Sequence, residues 1–225
     1  MPTRRSFLGL AGAGALAAAG AGSTPLFASP ARSSRPGALP TSDKWDMTWV
    51  DRLKGKHKAV FDSPEVSDGA ALFRAMVWAD QLKEVYGTPR SDVSSVVVVR
   101  HMAMPLVMND EFWKRFNIGK QVKMKDPATH RWYAKNPVMT TPPDTPPAFA
   151  NYNVPSFQAD GGIILACGMA FQGAVARFAA ADKLSHEDAD KRAREHLLPG
   201  VILQPSGIFA VLTAQEAGCN YALGS

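Results

Sequence analysis

Cys167 stands where two kinds of sequence meet. Before it runs Gly161-Gly162-Ile163-Ile164-Leu165-Ala166, a short unbroken apolar stretch bounded by glycine, and after it Gly168 and Met169 open a small-residue segment of helical length that reaches Ala181. Such a run reads as a strand buried on both faces and followed by a helix, so the thiol falls at a strand's C-terminal tip and at a helix N-terminus. A helix start carries roughly half a positive charge, and with backbone N–H groups near Gly168 and Met169 it favours a thiolate. The thiolate is the nucleophilic form of cysteine. The same apolar setting equally suits an inert cysteine that packs as a small hydrophobe, and the residues alone leave both readings open.

Two further stretches bring polar chemistry toward the same edge. Ser94 to Arg100 is a β-branched run that leads into His101. That imidazole could serve Cys167 as a base, or remain a solvated loop histidine. With Met102, Met104 and Met108 it also makes a group of soft ligands of the kind that suits Cu(I), although methionines beside a strand commonly fill gaps in a core. No residue is assigned as a metal ligand, and the residues leave open whether a cofactor is bound. Pro205-Ser206-Gly207 turns another apolar run into a helix with Ser206 as its cap, which is either a second helix start able to cradle an anion or small ligand, or an ordinary cap and turn. His130, His186 and His196 have no paired spacing with other ligand types and are expected on the surface. No Ser-His-Asp order, carboxylate pair or phosphate loop is supported.

The elements that must position these residues follow in order. Asp43 to Lys56, with Trp45, Trp49 and Leu53 at helical spacing, predicts a short amphipathic helix docked on the domain. His57 to Asp62 is the first strand. A helix follows, capped by Ser67 or Asp68, with Leu72, Met76, Ala79, Leu82 and Val85 on its apolar face and Gly87 at its end. Ser94 to Arg100 is the second strand, and Asn109 or Asp110 caps a short helix from Glu111 to Phe116. From Asn117 to Pro155 the sequence loses periodicity; the prolines from Pro137 to Pro155 exclude regular structure, and the aromatics argue for a packed lid or an oligomer contact over disorder. After the Cys167 strand and its helix, Ser185 starts a charged helix that reaches Leu198. Val201 to Gln204 is the fourth strand, the helix after Ser206 runs to Ala217, and Cys219 to Leu223 closes the sheet. Strand and helix alternate throughout, which predicts a three-layer α/β domain with right-handed crossovers and a mostly parallel sheet of about five strands. In such a sheet Cys167 ends one strand and Cys219 begins another, on the order of 15 Å apart, so no disulfide is expected.

The domain begins well inside the chain of 225 residues. Residues 1–28 read as a twin-arginine signal peptide: Thr3-Arg4-Arg5-Ser6-Phe7-Leu8, then a weakly apolar Gly/Ala run to Gly22, then a small-residue cleavage point after Ala28. The run is too short and too poor in leucine for a stable membrane span. Gly12-Ala13-Gly14-Ala15-Leu16-Ala17 matches a dinucleotide fingerprint only by composition, because no strand precedes it. Residues 29–56 form a linker and the docking helix, and 57–225 form the α/β domain with its proline-rich insertion at 117–155. The net charge is +5, two units of which belong to Arg4 and Arg5. The basic residues are spread out and do not alternate with aromatics, so nucleic acid is not an expected partner. The expected location is periplasmic, reached through the twin-arginine export machinery.

Leu197-Leu198-Pro199-Gly200-Val201, Gln204-Pro205-Ser206-Gly207-Ile208 and Gln215-Glu216-Ala217-Gly218-Cys219-Asn220-Tyr221-Ala222 together resemble the DsrE/DsrF-like family of sulfur-relay proteins. The likeness extends more loosely back to His57, leaving out the insertion. The resemblance implies a small flavodoxin-like parallel sheet, frequent homo-oligomers, and a cysteine at the position of Cys167 that carries sulfur as a persulfide. Gly168, Met169, Pro205, Ser206 and Gly207 would then line the site of a small sulfur-containing or other small ligand, with Cys167 and His101 doing the chemistry. The competing expectation is a non-enzymatic small-ligand, copper-binding or assembly protein whose cysteine is structural.

Overall fold

The computed structural model describes residues 44–127, 129–142 and 144–225; the expected signal peptide and residues 29–43 of the linker lie outside them. Five strands, β1 (His57–Ser63), β2 (Val93–Val99), β3 (Ile163–Cys167), β4 (Ile202–Gln204) and β5 (Asn220–Leu223), form one sheet in the order 4-3-2-1-5, and every neighbouring pair is parallel. The helices are α1 (Ala70–Tyr86), α2 (Asp110–Arg115), α3 (Ile118–Gln121), α4 (Val154–Ala159), α5 (Gly168–Asp182), α6 (His186–Arg194) and α7 (Gly207–Glu216).

Alternation along the strands builds two cores. Phe61, Val97, Val99, Ile164 and Ala166 face a cluster with Leu72 and Met76 of α1, Phe171 and Phe178 of α5, and Ala189 and Ala193 of α6. Val60, Val96, Val98, Ile163 and Leu165 face Ala210, Val211 and Ala214 of α7 together with Trp49 and Leu53. This is the flavodoxin-like three-layer α/β class. The reason for the segregation is topological. From β1 to β4 the chain steps in one direction across the sheet, so right-handed crossovers put their helices on one face, and the return from β4 to β5 puts α7 on the other. The connections that leave the adjacent strands β3 and β4 therefore depart to opposite faces, which is the switch point where ligands bind in open α/β sheets.

Several local signals act as expected. Asn109, Ser185 and Ser206 accept hydrogen bonds from the N–H groups of Phe112, Asp188 and Phe209 at the starts of α2, α6 and α7, and Gly87 ends α1 in the left-handed region. Others differ. Neither Ser67 nor Asp68 caps α1; both take positive φ, and the capping position belongs to Gly69, where a Cβ would stand 2.4 Å from Val138 Cγ1. The insertion presses there, and only glycine fits. The helix expected across 43–56 is a single tight turn, Thr48–Arg52, because Gly55 is drawn against the start of β2 and donates to Ser94 Oγ at 2.9 Å. It still docks, with Trp49 and Leu53 buried. The charged helix stops at Arg194 rather than Leu198, because the Leu198 N–H donates to the Val107 carbonyl. His196, expected on the surface, is buried: it stacks on Phe178 and its Nδ1 lies 3.0 Å from Asn109 Oδ1.

The insertion is packed and contains the helix α3, which its composition hid. Buried Asn136 holds it in place, donating to the carbonyls of Leu106 and Met108 while its Oδ1 accepts the Val138 N–H. Between the insertion and the first turn of α1 runs a groove of about 390 Å³, lined among others by Phe73, Tyr133 and Tyr152.

Candidate functional site

The strand register assembles a row of three polar residues at the switch point. Val99 pairs with Ala166 and Ala166 with Leu203; one step on, Cys167 pairs with Gln204, and Arg100 follows Val99 at the same level. Arg100, Cys167 and Gln204 thus stand side by side at the C-terminal ends of β2, β3 and β4. Residues far apart in sequence become neighbours here only because three parallel strands end together.

Cys167 is the N-cap of α5, and its Sγ accepts the Ala170 N–H at 3.4 Å. The residue is 7% exposed. Arg100 grips Asp62 with two hydrogen bonds, Nε to Oδ1 at 2.7 Å and Nη2 to Oδ2 at 2.9 Å, and Tyr221 donates its hydroxyl to the same carboxylate. The Asp62 hydrogen bond holds Arg100 above its usual range. The phenol of Tyr221 is pushed up, first by desolvation and then by Asp62. A planar guanidinium fixed by a fork of this kind is a preorganised cation rather than a swinging one.

Glycines let the two helix starts close on this row. A Cβ on Gly207 would meet Arg100 Cβ at 2.4 Å, and one on Gly168 would meet the Gln204 carbonyl oxygen at 2.7 Å and Trp45 Cη2 at 3.1 Å. Gln204 has no exposed surface. Its Nε2 donates to the carbonyls of Asp46 and Leu203 at 2.8 and 3.1 Å, which fixes the orientation of the amide, and its Oε1 has no partner. Buried acceptors in that condition are rare and call for an explanation.

The structure brings Gly168, Pro205, Ser206 and Gly207 to the crevice around Cys167, with Pro205 contributing its carbonyl near Gly168. Met169 sits on the exposed first turn of α5. His101 is turned elsewhere: it adopts a φ of 51°, its side chain is largely exposed, and its Nδ1 lies 3.6 Å from Glu65 Oε1. No hydrogen bond joins it to Cys167 among the described residues. Met104 and Met108 are buried in the core while Met102 is exposed, so the soft ligands do not share one surface. Among the described residues no three His, Cys, Asp or Glu side chains gather as a metal set. No helix there is long and apolar enough to cross a membrane.

Sequence reasoning missed Arg100 and Gln204. Arg100 is the polar residue directly after the apolar β2 and Gln204 the polar last residue of β4, which was the available signal; the register that makes them neighbours of Cys167 was not. Cys219 lies at the opposite edge, where burial pushes its thiol up to about 11, and both cysteines are free. Comparison with family models gives no match, and no curated protein matches the chain.

Proposed function

We propose that this chain is an exported sulfur-relay protein of the DsrE/DsrF-like kind that carries sulfane sulfur on Cys167. The observation that carries the reading is the setting of that thiol, an N-cap at the switch point with the Ala170 N–H on its sulfur and the clamped Arg100 cation beside it. The Cys167 thiolate attacks the outer sulfur of a polysulfide; the sulfur–sulfur bond of the donor breaks and the shortened polysulfide leaves with the electron pair. An acceptor thiolate then attacks the outer sulfur of the Cys167 persulfide and regenerates the thiolate, so the cycle needs no oxidant. Helix N–H groups and a fixed cation favour the anionic states on both sides of each step. Export through the twin-arginine machinery places the protein in the periplasm, which fractionation of cells producing the chain with both Arg4 and Arg5 changed to lysine would check. Self-association would use the exposed apolar residues of α7 and β5, Ile208, Leu212 and Leu223.

Intact-mass measurement after exposure to polysulfide tests the relay. One added sulfur atom, removable by a thiol, is expected in the native chain and in Cys219→Ser, and none in Cys167→Ser. Equal loading in all three would favour the second reading, a small-ligand or copper-binding module with a structural cysteine. The near-complete burial of Cys167 is the observation on that side.

A further inference from the structure

The groove between the insertion and the first turn of α1, about 390 Å³, is in the size range of small-molecule sites. One of its walls is aromatic and fixed. Phe73, 43% exposed on α1, has the rings of Phe149 and Tyr152 each with centroids 5.3 Å away, and those two rings lie 5.2 Å from each other. The Tyr152 hydroxyl donates to Asp80 Oδ2 at 2.6 Å, which ties the cluster to α1. Rings locked in this way present their faces to a ligand at little cost in entropy. Next to the groove is a smaller cavity of about 20 Å³, walled mainly by aliphatic side chains; its one hydroxyl, Ser63, donates to the Glu65 carbonyl. Gly69, Leu72 and Val138 line both spaces. An apolar void of that kind stays dry, so this side of the groove suits an apolar group.

The polar side of the groove is charged. Ser67, Asp68 and Gly69 take φ of 37°, 53° and 79°, and this turn withdraws Asp68 from capping α1 and sets it on the groove. Among the described residues no hydrogen bond or ion pair engages the Asp68 carboxylate. Lys125, the cation on the described lining, has its ammonium 4.9 Å from the centre of the Trp132 ring. The Tyr133 phenol, also on the lining, is pushed up, first by desolvation and then by the carboxylates of Asp126, Asp68 and Asp144. We propose that the groove binds an organic cation with an apolar body, its ammonium group at Asp68 and its body against Phe73, Tyr133 and the Leu72–Val138 floor. Aromatic faces and a carboxylate attract such an ion together, whereas an anionic ligand would meet like charges. The site uses neither Cys167 nor its chemistry, so loss of persulfide loading would leave it standing.

Isothermal titration of the full chain with benzyltrimethylammonium tests the proposal against two ligands of similar body, neutral benzyl alcohol and anionic phenylmethanesulfonate. The cation should give saturable heat, and the other two should bind at least about tenfold more weakly. Asp68→Asn keeps a side chain that tolerates the left-handed φ and removes only the charge; it should weaken the cation about tenfold, and Phe73→Leu by a similar factor. Both variants are titrated at temperatures where circular dichroism shows them folded. Absence of saturable heat overturns the site, as does an Asp68→Asn affinity equal to that of the native chain. Benzyl alcohol binding as tightly as the cation would reduce the groove to an apolar surface, and tighter binding of the sulfonate would overturn the proposal in favour of an anion at Lys125.

Discussion

The two ends of the sheet each bury a cysteine and surround it with opposite physics. At the C-terminal end Cys167 stands at the start of α5, with an N–H on its sulfur and Arg100 level with it. At the N-terminal end Cys219 follows the last turn of α7, where carbonyls point, and packs against Val60 and Ala214. The two are almost equally hidden, 7% and 5% exposed. Burial alone therefore does not distinguish the two thiols; the dipoles and charges around them do.

Breaking the charged end should cost most. Arg100→Ala leaves the Asp62 carboxylate buried with little more than the Tyr221 hydroxyl, and removing one partner of a buried pair should lower stability by about 2–4 kcal/mol in urea unfolding at pH 7. A loss inside experimental error would mean that the pair does not hold this end. Arg100→Lys should recover only part, because an ammonium cannot reproduce the fork. At the apolar end the effect is alkaline. The folded Cys219 thiol, at about 11, lies above its unfolded value near 9, so the unfolded chain releases its proton first; stability is whole below pH 9 and falls as pH rises toward 11, by about 2 kcal/mol. Cys219→Ala should flatten that slope, which unfolding midpoints at pH 8 and 10.5 would reveal. The smallest effect sharpens the contrast. Gly207→Ala drives a methyl group into Arg100 and should cost about 1–2 kcal/mol by overpacking. Gly218→Ala, at a φ of 93° with little around it, should cost about as much through backbone strain. Only the first should change the rate at which Cys167 is modified; equal changes in both would show that the two ends are not independent.

Much of this arrangement was legible in the residues because local chemistry agreed with the fold. The Val96 to Val99 run, the glycines that end helices, and the caps Asn109, Ser185 and Ser206 each act through atoms a few positions away. What escaped depends on contacts between distant segments. Ser67 and Asp68 look like caps, yet the insertion at Val138 hands that position to Gly69. His196 looks like the polar tail of a charged helix, yet Phe178 and Asn109 enclose it, and desolvation with the nearby Arg192 lowers its pKa. Cys167 could be singled out from its place between a strand and a helix. Arg100 and Gln204 could not, since nothing at either position announces which strand will end beside it.

The pairing of β1 with β5 sets a schedule for making the protein. Ala59 pairs with Asn220 and Asp62 with Leu223, so one side of the first strand has no partner until the last strand has been synthesised. α7 and Trp49 likewise share one core from opposite regions of the sequence. At ribosomal rates of about 5–20 residues per second, the nascent chain spends on the order of ten seconds with β1 and β2 made and one sheet edge bare. An edge of that kind invites pairing with other chains. The half of the domain built by β1 to β4 and its helices can condense while translation continues, whereas the Trp49–α7 layer can assemble only afterwards.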